Sequence, residues 1–170
     1  MLLLFDVAED NRQTLSVDYQ GALALGYAAG VACAALKDAA KSRVSEFADT
    51  CRALLSSASA GKLAAYRFKE EIAREVSSAD PAELALIDRE AIARGLTRDE
   101  LISEIAVKAT AYRQTALLIE ALEVEAKAAI TAIPDDAADI ETQIQTVLEA
   151  AKAQAETAFA EALALINGGS

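Results

Sequence analysis

The chain has 170 residues, with 16 basic and 27 acidic side chains, and its net charge is −11. Its 41 alanines, seven glycines and two prolines favour helix almost throughout, because alanine is the best helix former and glycine and proline are the poorest. The sequence contains no histidine, which removes His metal ligands and the Ser–His and Cys–His nucleophile pairs. The excess of acid argues against the cationic surface that a nucleic-acid binder needs. We therefore predict an all-α, non-enzymatic protein with no cofactor, no metal and no direct contact with nucleic acid.

Residues 1–17 are predicted to form a short extended N-terminal arm, with a strand or extended segment over 2–7 and a turn at 9–11. No basic residue precedes its apolar start, and Asp6 ends that start too early for a secretory signal. The arm is expected to pack either on the chain's own helices or on a partner protein. Its candidate partner-binding residues are Leu2, Leu3, Leu4 and Phe5.

A first helix is predicted to begin near Ser16 or Asp18 and to run to about Ser56, buried nearly all round in its first half and amphipathic in its second. Gly26 and Gly30 would then lie one turn apart on one face, where two helix backbones can approach closely. That face is predicted to be either an oligomer interface or a tight contact within the monomer. The longest uncharged stretch, 21–36, is too short to span a bilayer, so no membrane contact is expected.

The two cysteines, Cys33 and Cys51, would lie far apart along this helix, so a disulfide between them is excluded by distance. Buried free thiols in a reducing compartment are the expectation. A break of small residues at 56–61 separates this helix from a second one over about 62–76. The aromatic residues of the middle of the chain, Tyr66, Phe68 and Tyr112, are predicted to be core anchors. Basic and acidic residues alternate there, which indicates a surface laced with salt bridges.

The next helix starts are sharply marked. Asp80 followed by Pro81 is a cap residue with proline at the first helical position, and Gly95 is a predicted stop. Thr97 and Glu100 form a capping box, T-x-x-E, that opens a long helix ending near Thr131.

Residues 97–166 are predicted to form a long antiparallel αα-hairpin, because a linker of only about four residues joins its two helices. The segment Ile133-Pro134-Asp135-Asp136 is predicted to end the first of them and to cap the second. On the first helix, apolar positions recur at three and four from Leu101 through Tyr112 and Ala116 to Ile130. The stripe of the second helix comprises Ile140, Ile144, Val147, Ala151, Ala155, Ala158, Ala162 and Leu165. Alanine seams bury little area, so other helices or another subunit must cover them.

The predicted organisation is thus an elongated helical bundle. The arm occupies 1–17 and a helical domain occupies 18–170, with packing helices over 18–94 and the hairpin over 97–166. The acidic clusters at 70–75 and 135–141 lack the alternating oxygen ligands and central glycine of a calcium loop, and they are expected to be solvated helix faces and capping residues.

Three segments, KLAAYRFKEEIA at 62–73, DREAIARGLT at 88–97 and YRQTALLIEALE at 112–123, resemble small Ala-rich helical proteins of the tail and tail-fibre module of tailed bacteriophages and prophages. The resemblance covers about 60–166. It implies a structural or assembly role, as a minor virion component or as a chaperone that holds a tail or fibre protein. It also implies location in the host cytoplasm during assembly or in the virion, and it assigns no functional residue.

The leading prediction is therefore a helical phage protein that acts through helix–helix contacts and forms a homo-oligomer. The alternative is an acidic phage-encoded inhibitor whose carboxylates imitate the phosphates of nucleic acid and occupy a host nucleic-acid-binding protein. That alternative needs one continuous acidic face, and the acid-rich C-terminal helices are its candidate.

Overall fold

A computed structural model of the chain describes residues 3–55 and 60–167. Over these residues the fold is mostly helical, as predicted, with a small two-stranded antiparallel sheet at its start. The strands are β1 (Phe5–Glu9) and β2 (Arg12–Val17), and the helices are α1 (Tyr19–Ala24), α2 (Ala29–Leu55), α3 (Ala60–Arg74), α4 (Pro81–Arg94), α5 (Arg98–Ala132) and α6 (Ile140–Asn167). Within the described ranges, no helix is both long enough and apolar enough to cross a membrane.

The chain packs as two compact units. One is built from Met1–Cys51 and Ile119–Glu156, and the other from Arg52–Leu118 and Thr157–Ser170. Helices α5 and α6 contribute residues to both units, because the boundary falls within each of them.

The N-terminal arm is a β-hairpin rather than a single extended segment. Strand β1 pairs antiparallel with β2, and Asp10 lies in the turn between them with a φ of 52°. A first strand was predicted at 2–7 and is found at Phe5–Glu9, so Glu9 belongs to β1 and not to the turn; the second strand was missed. Phe5 and Val7 are buried in the core of the first unit, so the hairpin packs on its own chain.

Arg12 fastens this hairpin to the turn between α1 and α2. Its guanidinium donates hydrogen bonds to the carbonyl oxygens of Leu25, at 2.9 Å, and Gly26, at 3.1 Å. It also lies 4.0 Å from the ring centroid of Tyr27, within the range of a cation–π contact. The Tyr27 hydroxyl in turn shares a hydrogen bond with the Thr14 hydroxyl. The hairpin is therefore held by polar contacts as well as by its two buried side chains.

The prediction of one continuous first helix is wrong. Asp18 caps α1 as expected, accepting a hydrogen bond from the backbone N–H of Gly21, but α1 ends at Ala24. Gly26 follows with a φ of 82°, a left-handed conformation that glycine adopts without the steric cost that other residues incur. The chain turns there, and α2 begins at Ala29.

Helix α2 is amphipathic along its whole length, so the predicted burial of its first half on all sides is also wrong. Ala34 and Asp38 are exposed within that half. Its buried face comprises Ala32, Cys33, Leu36, Lys37, Ala40, Val44, Ala48 and Cys51. Both cysteines are buried free thiols, as predicted.

The core of the first unit joins the hairpin, α1, α2, the end of α5 and the start of α6. Its largest fully buried side chains include Leu36, Ile130, Ile140 and Ile144. The α6 stripe is confirmed at the positions whose side chains are described, since each of these is buried or half-buried. Leu165 lies outside the described side chains.

The residues predicted to cap α4 and α5 occupy the capping positions in the structure. The Asp80 carboxylate accepts from the N–H of Ala82, and Gly95 ends α4 with a φ of 68°. At the start of α5, Glu100 accepts from the N–H of Thr97 at 2.7 Å, and the Thr97 hydroxyl accepts from the N–H of Glu100 at 3.2 Å. Reciprocal bonds of this kind are what a T-x-x-E box provides.

Two boundaries differ from the predictions. The linker between α5 and α6 covers residues 133–139 instead of about four residues, and α6 begins after Asp139, whose carbonyl accepts from the N–H of Gln143. Asp135 therefore does not cap α6. The second predicted helix, placed at 62–76, is α3 at Ala60–Arg74. Of the small-residue break predicted at 56–61, residues 56–59 lie outside the described residues, and Ala60 and Gly61 belong to α3.

The buried seam of α5 is offset from the prediction near its middle. Ala111 and Thr115 are buried, whereas Tyr112 is 36% exposed and Ala116 is half-buried. A one-residue offset turns the helix by about 100°, so Tyr112 leaves the core face.

Candidate functional site

The apolar arm supplies one exposed candidate contact among its described residues. Phe5 is 5% exposed and belongs to the core of the first unit, and Leu3 packs against the same core. The role of Phe5 as a partner contact is therefore wrong, because the side chain is already buried within its own chain. Leu4 is 57% exposed and remains available, whereas Leu2 lies outside the described residues.

The two glycines do not form the predicted helical face. Gly26 lies in the turn before α2 and Gly30 in the first turn of α2, and both are exposed. A Cβ added to Gly30 would meet no atom of another element within 4 Å, so among the described residues no second backbone packs closely against it. The predicted face required a continuous helix across Gly26, and the chain turns there instead.

Lys37 lies at the centre of the most buried polar cluster of the first unit. Its side chain is 10% exposed, and its ammonium donates hydrogen bonds to the carbonyl oxygen of Ile133 and to the carboxylate of Asp135. The Cys33 thiol, one turn earlier on α2, donates to the same Asp135 oxygen at 3.3 Å. The cluster joins α2 to the loop between α5 and α6.

The electrostatics of this cluster indicate a structural role. The hydrogen bond from Lys37 lowers the pKa of Asp135, and the bond from Cys33 acts in the same direction. Burial raises the pKa of the Cys33 thiol, and its bond to Asp135 adds to that rise. Because the thiolate is the reactive form of cysteine, a thiol held protonated in this way is a poor nucleophile. The sequence analysis missed this cluster, although a lone lysine on an otherwise apolar helix face could have pointed to it.

A dependence of stability on pH follows from the contact between Lys37 and Asp135. The pKa of Asp135 is lowered from 3.8, so this contact contributes stability above that value and loses it as pH falls through the lower, folded pKa. Asp135→Asn should reduce the urea midpoint at pH 7, and the difference from the wild type should shrink as the pH falls below 3.8 through the lowered pKa of Asp135. Urea unfolding of both proteins between pH 7 and pH 2 measures this. A difference that stays constant over the whole range would contradict it.

The second unit has an apolar interior and a charged surface. Among its described residues, Ile87, Ala91 and Leu101 form one buried cluster, and Ile72 of α3 packs against it. The predicted salt bridges are confirmed around it: Lys69–Glu90, Arg74–Glu70, Arg94–Glu104, Arg98–Asp88 and Arg113–Glu70.

The prediction that the central aromatic residues are core anchors is wrong. On α3, Tyr66 is 54% exposed and Phe68 is 63% exposed, and Tyr112 of α5 is 36% exposed. By contrast, Phe5, Tyr19 and Tyr27 are buried. Aromatic side chains are enriched at protein interfaces, where their large apolar surface is buried. Helix α3 is therefore the candidate interaction site. The sequence analysis predicted that its aromatic residues are buried, and they are exposed.

Comparison with family models, with curated protein sequences and with solved structures gives no match for this chain. Its own geometry is therefore the basis for assigning a function. Within the part of the chain that the structure describes, no group of three Cys, Asp or Glu side chains is placed to hold a metal ion. The candidate site is the exposed segment Ala64–Phe68 of α3, whose two aromatic side chains lie on different sides of the helix.

Proposed function

We propose that this chain is a non-enzymatic phage structural or assembly protein that acts through helix–helix contacts with a protein partner. The observation that carries the proposal is the exposure of Tyr66 and Phe68 on α3. An aromatic side chain offers 150–250 Å² of surface for burial, and leaving two of them in water is unfavourable unless a partner covers them.

Further apolar side chains are exposed in the same unit. Ile92 of α4 is 77% exposed and Leu117 of α5 is 71% exposed. Single exposed apolar residues are common on protein surfaces, so Ile92 and Leu117 add less to the argument than Tyr66 and Phe68. In the first unit, the exposed Leu4 of the hairpin is a second, smaller candidate contact.

The connection to phage tails and tail fibres comes from the sequence resemblance over 60–166. That stretch includes the exposed aromatic residues, which is what an assembly protein or chaperone would need at its contact surface. The partner in this proposal is a phage tail or fibre protein. The site of action is the host cytoplasm during assembly or the virion.

The proposal includes a long antiparallel hairpin of α5 and α6, together with self-association of the chain. The core of the first unit supports the hairpin, because side chains from the end of α5 and the start of α6 belong to the same buried cluster. The alanine-rich faces of both helices bury little area per residue, which favours further contacts between copies.

The nucleic-acid mimic has less support. It requires carboxylates that are available to a partner, yet Asp135 is paired with Lys37, and Glu123 is paired with Lys127 and accepts a hydrogen bond from Ser45. Asp136→Asn and Asp139→Asn test this alternative without disturbing the Lys37 contact. A mimic would lose its partner, whereas a protein that binds through α3 would not.

The test is affinity purification of the tagged full chain from cells in which the phage is assembling, with captured proteins identified by mass spectrometry. A tail or fibre protein should co-purify with the wild type and should be reduced at least about tenfold with Phe68→Ser. Leu15→Ser is the matched control, because Leu15 is also 63% exposed but lies on β2. Absence of any tail or fibre protein from the wild-type sample would contradict the proposal.

A further inference from the structure

We draw no further inference here: the strongest candidate, the exposed segment Ala64–Phe68 of α3, is already the site of the proposed function, and nothing in the structure shows what covers it.

Discussion

Replacing Lys37 by alanine is expected to lower the free energy of unfolding by about 2–3 kcal/mol. The substitution removes the donor for the Ile133 carbonyl and for Asp135, and it also removes the buried part of a long side chain that is only 10% exposed. The loss should fall below the 3–5 kcal/mol that is typical of a fully buried pair, because Asp135 is largely exposed and water can solvate it. Urea unfolding at pH 7 measures the change.

Lys127→Ala is the matched control for this prediction. Lys127 also forms an ion pair, with Glu123 one turn earlier on α5, but its side chain is 37% exposed. Exposed pairs of this spacing contribute about 0.3–0.5 kcal/mol. Lys37→Met separates packing from charge, since it fills most of the space without an ammonium and should recover part of the loss. Equal effects of Lys37→Ala and Lys127→Ala would contradict the proposed role of the buried lysine.

The second large effect is expected at Ile144, where alanine should cost about 2–5 kcal/mol. Ile144 is 1% exposed and lies in the same core as Leu36 of α2 and Ile130 of α5. Truncation would remove apolar contacts and leave a cavity among side chains from three helices. Because much of that core is alanine, few neighbouring side chains are long enough to fill the space.

Val124→Ala provides the comparison for Ile144→Ala. Val124 lies on α5 and is 59% exposed, and alanine is the better helix former, so this change should lie within about 0.5 kcal/mol of the wild type. Thermal and urea unfolding measure the change in unfolding free energy for each variant. A loss below about 1 kcal/mol for Ile144→Ala would contradict the central place of α6 in this core.

The parts of the fold that local sequence determines were predicted well. Asp80 with Pro81, Gly95, and the box of Thr97 and Glu100 define helix ends through contacts within a few residues. The α6 stripe was equally clear, since a repeat of three and four positions defines a helix face without knowledge of its partner.

The errors fall where long-range contacts or a single glycine decide the structure. Gly26 has good helical neighbours on both sides, and its positive φ is stabilised by the β-hairpin, which places Arg12 against the carbonyls of Leu25 and Gly26. The local sequence predicts Asp135 as the cap of α6, but its carboxylate pairs with Lys37, 98 positions away. Neither contact could be inferred from local spacing.

The candidate site was mispredicted for a different reason. Apolar periodicity identifies which face of α3 is hydrophobic, and Ile72 confirms that face. It does not say how far along the helix the covering elements extend. Phe68 has the residue type and spacing of a core side chain and is nevertheless 63% exposed. The same mismatch is the strongest reason to look for a partner at this position.

Site-specific photo-cross-linking tests the central claim, that the exposed segment Ala64–Phe68 of α3 is where this protein meets its partners. A photoreactive phenylalanine analogue at position 68 of the full chain, with the same analogue at position 15 as the control, reports contacts during phage assembly. We predict cross-links from position 68 to a tail or fibre protein, and none to such a protein from position 15. Equal cross-linking from both positions, or none from position 68, would contradict the account.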